Sequence, residues 1–290
     1  MQVLSRALAV VLGFLWPIAG QAAAADPAMW VVKDADSTVY LLGTIHLLKP
    51  GVNWRSEKLE AALKASDEFW MEVDIEEDPA IAQTYALNFG MDARHPLPDT
   101  LGEKNYAKLL SVAERFQIPT THLPEMRPWL ATMVLSRAQI MSVGYDPELG
   151  VDRTLEREAM AAGKPVKGFE TAAQQLGFLS GLPDKIAAEM LIQTLDELEE
   201  GVAAVDTLSA AWLAGNVKQL QKEGPDKMRQ SAPALYDAML VQRNANWMKQ
   251  IDAMLKGSGT QFIAVGAAHL VGSDGLPEQL RQRGYKVERY

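Results

Sequence analysis

The chain has 290 residues, 48% of them hydrophobic and 22% charged, with a mean hydropathy of −0.08, enough apolar material for a buried core and too little for repeated membrane crossings. A net charge of −9 and a pI near 5.1 argue against non-specific binding to nucleic acid or to an anionic membrane surface. Cysteine is absent, which excludes thiol nucleophiles, zinc–thiolate sites and iron–sulfur clusters.

In chain order, the first segment reads as an address. Arg6 precedes an apolar run from Ala7 to Ile18, and small residues at Ala22–Ala25 follow, the three-part layout of a secretory signal peptide with cleavage after Ala23 or Ala25. The apolar run falls short of the roughly 20 residues of a spanning helix, and Pro17 interrupts it. Residues 1–25 are therefore expected to be removed on export to the periplasm or beyond, leaving no transmembrane anchor. Cleavage deletes Arg6 as the sole charge, so −9 becomes −10. No linker or repeat divides residues 26–290, which are expected to form a single domain.

Runs rich in Val, Ile, Leu and aromatics, bounded by Gly, Pro, Asp or Asn, predict strands at Trp30–Lys33, Val39–Ile45, Glu68–Ile75, Pro165–Phe169, Gln261–Val265 and Lys286–Tyr290. Helical periodicity predicts helices at Ser56–Ala65, Thr100–Arg115, Glu125–Met141, Val151–Ala162, Pro183–Glu200, Val205–Ala214, Ala232–Leu255 and Gly275–Arg283. Ser56 and Thr100 are candidate N-caps, Thr100 with Glu103 at capping-box spacing, and Gly163 and Gly284 sit where helices end. Met126, Trp129, Met133 and Met141 are spaced as a core-facing stripe. The expected fold is α/β: a mixed or mostly parallel sheet flanked by helices, with large helical insertions over Asp78–Ala162 and Thr171–Leu255. The last stretch, Gln261–Tyr290, reads as a βαβ unit.

Two of the four histidines close matching phrases, Gly43-Thr44-Ile45-His46 and Gly266-Ala267-Ala268-His269, each straight after an apolar strand. The carboxyl ends of strands are where open α/β sheets bind ligands, and glycine there lets the backbone turn or approach a neighbour closely. A third strand, Phe69 to Ile75, sets Glu72 and Asp74 on one face and Met71, Val73 and Ile75 on the other. Carboxylates beside apolar neighbours are costly to bury unless paired or bound to a cation. Two imidazoles and a carboxylate suit a divalent transition metal such as zinc, manganese, cobalt or iron; the same groups also suit a metal-free acid–base set. His95 and His122 lie in proline-flanked loops. Asp146 and Asp152 fit turn or cap positions. Arg243, on a long amphipathic helix, is either a surface charge or, facing the site, a group suited to a substrate carboxylate or an oxyanion.

The GTIH phrase, the strand Trp70-Met71-Glu72-Val73-Asp74 and the closing VGAAHLVGSDGL resemble the TraB/GumN (PrgY/TIKI) family. Inner phrases extend the resemblance: Arg127-Pro128-Trp129, Gly144-Tyr145-Asp146 with Gly150-Val151-Asp152, Gly168-Phe169-Glu170-Thr171 with Gln174-Gln175, and Arg243-Asn244. It implies a fold similar to that of the erythromycin-esterase and ChaN-like proteins. It also implies, from the TIKI branch, a metal-dependent protease with His46, Glu72 and His269 as the essential set and Glu170 and Arg243 behind them. Three functions follow as expectations. The first is an exported metal-dependent peptidase acting on a peptide or small-molecule substrate. The others are a non-catalytic protein that captures a peptide or haem, and a metal-free esterase-like hydrolase.

Overall fold

A computed structural model describes residues 26–73, 79–200 and 203–290; residues 1–25, expected from the sequence to be a signal peptide, lie outside them. Six strands form one sheet: β1 Met29–Lys33, β2 Ser37–Thr44, β3 Glu68–Val73, β4 Val166–Glu170, β5 Gly259–Gly266 and β6 Val287–Arg289, in the order β4-β3-β5-β2-β1-β6. β4, β3, β5 and β2 are mutually parallel, while β1 runs antiparallel to both β2 and β6. All six predicted strands are present and the α/β class holds. Of the predicted third strand, residues 74 and 75 lie outside the described residues.

β2 and β5 are the sheet's centre, and residues 39–42 and 261–265 are buried on both faces. That explains why these strands read as continuous apolar runs rather than alternating ones. Helices seal the sheet with their apolar stripes: Leu59 and Leu63 of the helix Glu57–Ala65, Leu155 of Val151–Ala161, and Trp247, Met248 and Ile251 of Gln242–Leu255 join the sheet's core cluster. Ser56 does cap its helix, accepting from Leu59 N at 3.3 Å. A second apolar cluster has no strand in it. Leu97, Leu109, Leu135, Leu191 and Leu195 pack among the helices Leu97–Arg115, Pro128–Ser142 and Asp184–Glu200, and this is the expected helical insertion.

Several local expectations need correction. The helix predicted from Thr100 begins at Leu97 behind Pro96, and Gly102, at φ 72°, breaks it; proline at the helix start is preorganised and displaces the Thr100 cap. The stretch Ala232–Leu255 is not one uniform helix, because a π-helical segment, Asp237–Val241, separates Pro233–Tyr236 from Gln242–Leu255. The helices Pro79–Gly90 and Ala172–Ser180 had no clear apolar period and were not predicted. Met133 and Met141 are 40% and 46% exposed, so the methionine stripe is core only at its Trp129 end. In the closing βαβ, the helix Leu276–Gln282 does return β6 parallel to β5, but carries it across β2 and β1 to the far edge. Among the described residues no helix is long and apolar enough to cross a membrane.

Candidate active site

The strand order builds the site. β5 lies between β2 and β3, with Thr44 level with Gly266 and Met71 level with Ala264. The carboxyl ends of all three strands therefore finish side by side. His46 leaves the end of β2, Glu72 sits near the end of β3, and His269 rides a single 3₁₀ turn, Ala267–Leu270, directly after β5. Both motif glycines serve close approach rather than a left-handed turn. A Cβ on Gly43 would stand 3.1 Å from Ala267, and one on Gly266 would stand 3.0 Å from Glu72 Oε1.

Both imidazoles face one carboxylate oxygen. His46 Nε2 is 3.9 Å and His269 Nε2 3.8 Å from Glu72 Oε1. Each ring is fixed from behind through Nδ1. His46 Nδ1 lies 2.9 Å from Asp152 Oδ2, and His269 Nδ1 lies 2.7 Å from Asn244 Oδ1. Asn244 donates its amide to the carbonyls of His269 and Asp274 at 3.3 and 2.8 Å, so its oxygen faces the ring. That assigns the His269 proton to Nδ1 and makes Nε2 an acceptor, which in this structure takes a bond from Arg243 NH1 at 3.1 Å. A carboxylate or amide oxygen behind the ring is the usual support of a metal-ligating histidine.

Asp152 reaches His46 because Gly150-Val151-Asp152 docks on the end of β2. Val151 N donates to Ile45 O at 3.0 Å, and a Cβ on Gly150 would stand 2.5 Å from His46 O. Glu72, in turn, accepts from Gly266 N at 2.7 Å, from Gln175 Nε2 at 3.1 Å and from Arg243 at 2.7 Å. Arg243 is 2% exposed and also donates through Nε to Glu170 at 3.0 and 3.2 Å, through NH1 to Met239 O at 3.3 Å and to His269 Nε2 at 3.1 Å. Trp247 donates to Glu170 at 2.8 Å, and its ring stacks within 4.4 Å of His269 and 4.8 Å of the guanidinium. The surface-charge reading of Arg243 is excluded.

Electrostatics follow from this packing. Burial penalises the charge on Glu72, but the imidazoles and Arg243 around it outweigh the penalty and hold the carboxyl well below the usual carboxylate range. Burial pushes Glu170 up despite Arg243. His269 is pushed down to about 3, by burial first and then by Arg243, and is neutral at pH 7. For His46 burial works the other way from its partners. The bond to Asp152 and the charges of Asp152 and Glu72 prevail and raise it to about 9, on a side chain that is still 54% exposed.

The floor so assembled opens into a cavity of about 600 Å³, whose walls come from the insertion helices: Leu176, Leu179, Met133, Leu208, Met228 and Leu235. The structure brings His46, Glu72, His269, Arg243 and Glu170 together. Asp74 lies outside the described residues. His95 and His122 are exposed in loops, and Asp146 caps a turn, accepting from Glu148 N at 2.8 Å. Asn244 and Gln175 lie within the family phrases without an expected role, Asp152 is expected from the sequence only to turn or cap the chain, and Trp247 carries no signal there. Nothing in the local sequence pairs Asp152 with a histidine 106 positions away.

A family model described as TraB/PrgY/gumN matches residues 28–289. The chain belongs to the TraB/PrgY/gumN family. It is 28% identical over 255 residues to the uncharacterized protein YbaP of Escherichia coli (strain K12), covering 88% of this chain and 92% of YbaP. The YbaP of Shigella flexneri matches to the same extent. A more distant relative, at 25% identity over 319 residues, is the metalloprotease TIKI2 of Danio rerio, with 90% of this chain and 60% of TIKI2 covered.

With that kinship, the residues can be tested against a divalent ion. Two buried carboxylates, Glu72 and Glu170, and the partly exposed Asp152 stand against the guanidinium of Arg243 and the charged His46, leaving one negative charge uncompensated at neutral pH and two once an ion displaces the His46 proton. The donor chemistry and charge fit. The spacing is looser: 3.8 and 3.9 Å exceed by about 0.5 Å the separation of two atoms each ~2.1 Å from one tetrahedral ion. Among the described residues no group of three His, Asp or Glu closes as a ligand set.

Proposed function

We propose that this protein is an exported hydrolase of acyl bonds that uses a divalent transition metal (manganese, cobalt, zinc or iron) at His46, His269 and Glu72. The observation that carries it is the pair of Nε2 atoms facing one buried carboxylate oxygen, each ring locked through Nδ1. Kinship with the metalloprotease TIKI2 supports the same class of chemistry, and the layout of residues 1–25 supports export. When bound there, the ion would polarise the scissile carbonyl and activate a water at neutral pH. The chain's own residues set the stage. Asp152 and Asn244 fix the imidazole orientations, Arg243 keeps Glu72 ionised, and Trp247 with Glu170 keeps Arg243 in place. The mouth of the apolar cavity delivers the bond to this floor and keeps bulk water away.

One observation favours a second reading, a metal-free hydrolase. Arg243 NH1 already donates to His269 Nε2, and His46 with Asp152 forms an acid–base pair. There the His46–Asp152 pair, in its deprotonated form, takes a proton from the attacking water and passes it to the leaving group, while Glu72 stays ionised beside Arg243. The deciding measurement is elemental analysis of the mature protein beside a His46→Ala/His269→Ala double variant, with turnover of chromogenic esters and amides before and after exhaustive chelation. About one metal per chain, lost in the variant, supports the first reading. Chelator-resistant turnover lost in the same variant supports the second. No turnover under any condition overturns both and leaves a binding protein for a peptide or haem. Amino-terminal sequencing of exported protein beginning after Ala23 or Ala25 tests the export.

A further inference from the structure

The cavity above the site has a lining that its floor does not explain. Every charged group in it belongs to the floor, and the walls are aliphatic and thioether side chains from the insertion helices. On those walls, among the described residues, three side chains carry N or O atoms, and one of them, Gln175 next to the floor, gives its Nε2 to Glu72 at 3.1 Å. Thr132 Oγ1 is already given to Pro128 O at 3.0 Å, and Trp129 is wholly buried with its Nε1 sealed from the cavity. The backbone offers little more. The wall residues lie mainly on helices, whose peptide groups bond within the helix; in the π-helical segment Asp237–Val241, Met239 O also accepts from Arg243 NH1, and the π-helical segment Lys222–Asp226 brings Gly224 and Pro225, the latter without an N–H, to the lining.

These facts discriminate between ligands. An extended peptide carries one N–H and one C=O per residue into the cavity, and each left unpaired costs roughly 1–3 kcal/mol. No sheet edge lies along the cavity to receive them. A hydrocarbon chain carries no such requirement. The walls are also adaptable: Met133, Met190, Met228 and Met239 line the cavity, and methionine repacks around flexible apolar ligands. At about 600 Å³ the space is of the size that encloses most of a ligand of some tens of atoms.

We infer that the cavity takes a straight aliphatic chain, and that the substrate class is a long-chain acyl ester or amide, with the chain among the insertion helices and the carbonyl at His46, Glu72 and His269. Naming the substrate rests on the hydrolase reading above; the ligand class rests on the cavity alone. In the reaction, water oxygen bonds the acyl carbon, the bond from that carbon to the alcohol oxygen or amine nitrogen breaks, and the departing atom receives a proton. The products are a fatty acid and an alcohol or amine.

Two arms test this on the mature chain. Calorimetric titration with straight-chain primary alcohols, butanol to dodecanol, needs no catalysis; affinity is expected to rise about fourfold per methylene until the cavity is filled. Met133→Glu, at a residue 40% exposed and so tolerant of a charge, should weaken decanol on the order of tenfold with unchanged thermal unfolding. The second arm is hydrolysis of nitrophenyl acetate, butyrate, octanoate and laurate, where kcat/KM should climb with the same slope. Failure of the alcohols to bind, or binding flat with length while an apolar N-acetyl tripeptide amide binds, overturns the inference. Length-dependent binding of alcohols with no ester turned over sustains the aliphatic ligand and removes the hydrolase reading instead.

Discussion

Arg243 is the residue whose loss the structure prices most clearly. Replacing it by Met, of similar length and without charge, leaves Glu72 and Glu170 buried at 7% and 6% exposure with their shared counter-charge gone. Glu170 keeps a single donor, Trp247 at 2.8 Å. Glu72 keeps Gly266 N and Gln175 at 2.7 and 3.1 Å. Removing one partner of a buried ionic network costs about 3–5 kcal/mol, which in a chain of this size lowers Tm on the order of 10 °C. The loss should depend on pH. Burial already raises Glu170 in the intact protein, and without the guanidinium its carboxyl resists ionisation further, while Glu72 keeps only the imidazoles to hold it low. The folded variant therefore holds protons that the unfolded chain releases above its ordinary carboxyl pKa. Its deficit is largest at neutral pH and shrinks as pH falls through the raised folded-state values. Urea unfolding at pH 7.5 and pH 5 would measure both, with Arg243→Met/Glu170→Gln recovering part of the neutral-pH loss. A deficit under about 1 kcal/mol, or one equal at both pH values, would refute the account of Arg243 as the clamp between two buried carboxylates.

Other expectations follow from single contacts. Asp152 holds His46 charged up to about 9 against an ordinary 6.5, so this pair contributes stability that is complete below 6.5 and is lost as pH rises toward 9. Asp152→Asn should flatten stability over that window and move the His46 carbon-bound proton resonance to titrate lower; an unchanged titration would count against the pairing. Gly266→Ala places a Cβ 3.0 Å from Glu72 Oε1, so turnover should fall on the order of tenfold or more from a displacement of the order of an ångström, while circular dichroism stays native. Gly150→Ala meets the His46 backbone carbonyl at 2.5 Å, which cannot yield as a side chain would. The loop bearing Asp152 should then detach, with loss of activity and faster hydrogen exchange at Val151, whose amide is bonded to Ile45 O.

Much of the sheet was legible because its central strands obey a strong rule. Buried parallel strands must be apolar on both faces, and residues 39–42 and 261–265 announce that. The histidines were legible for a related reason: a glycine and an imidazole straight after such a strand stand at the ligand-binding end of a sheet. The helical insertion was harder. Pro79–Gly90 and Ala172–Ser180 pack against each other and other helices rather than against the sheet, with Leu87 and Phe89 exposed and no fully buried residue in Ala172–Ser180, so a clean apolar stripe is missing. Asp152 looked like a cap because aspartate at the start of a helix usually is one, and its bond to His46 depends on how the turn before it docks. Arg243 could not be told from a surface charge, since its burial depends on Glu72 and Glu170 arriving from other strands.

The strand order explains why one chain can hold chemistry and selectivity apart. β2, β5 and β3 are neighbours in space although about 30 to about 220 residues separate them in sequence, so His46, His269 and Glu72 are placed by the sheet's ladder and by the two close-approach glycines. The cavity walls come instead from the segments inserted between β3, β4 and β5. Trp129, Met190, Leu176, Leu179 and Leu235 of the walls pack in a cluster that contains no strand, so these apolar faces can be exchanged without disturbing the register that aligns the floor. Substitutions at wall positions such as Met133 or Leu179 should accordingly change which chain is accepted and leave the His46–Glu72–His269 distances intact. A structure of Met133→Glu in which those distances moved by an ångström would show that floor and walls are one mechanical unit after all.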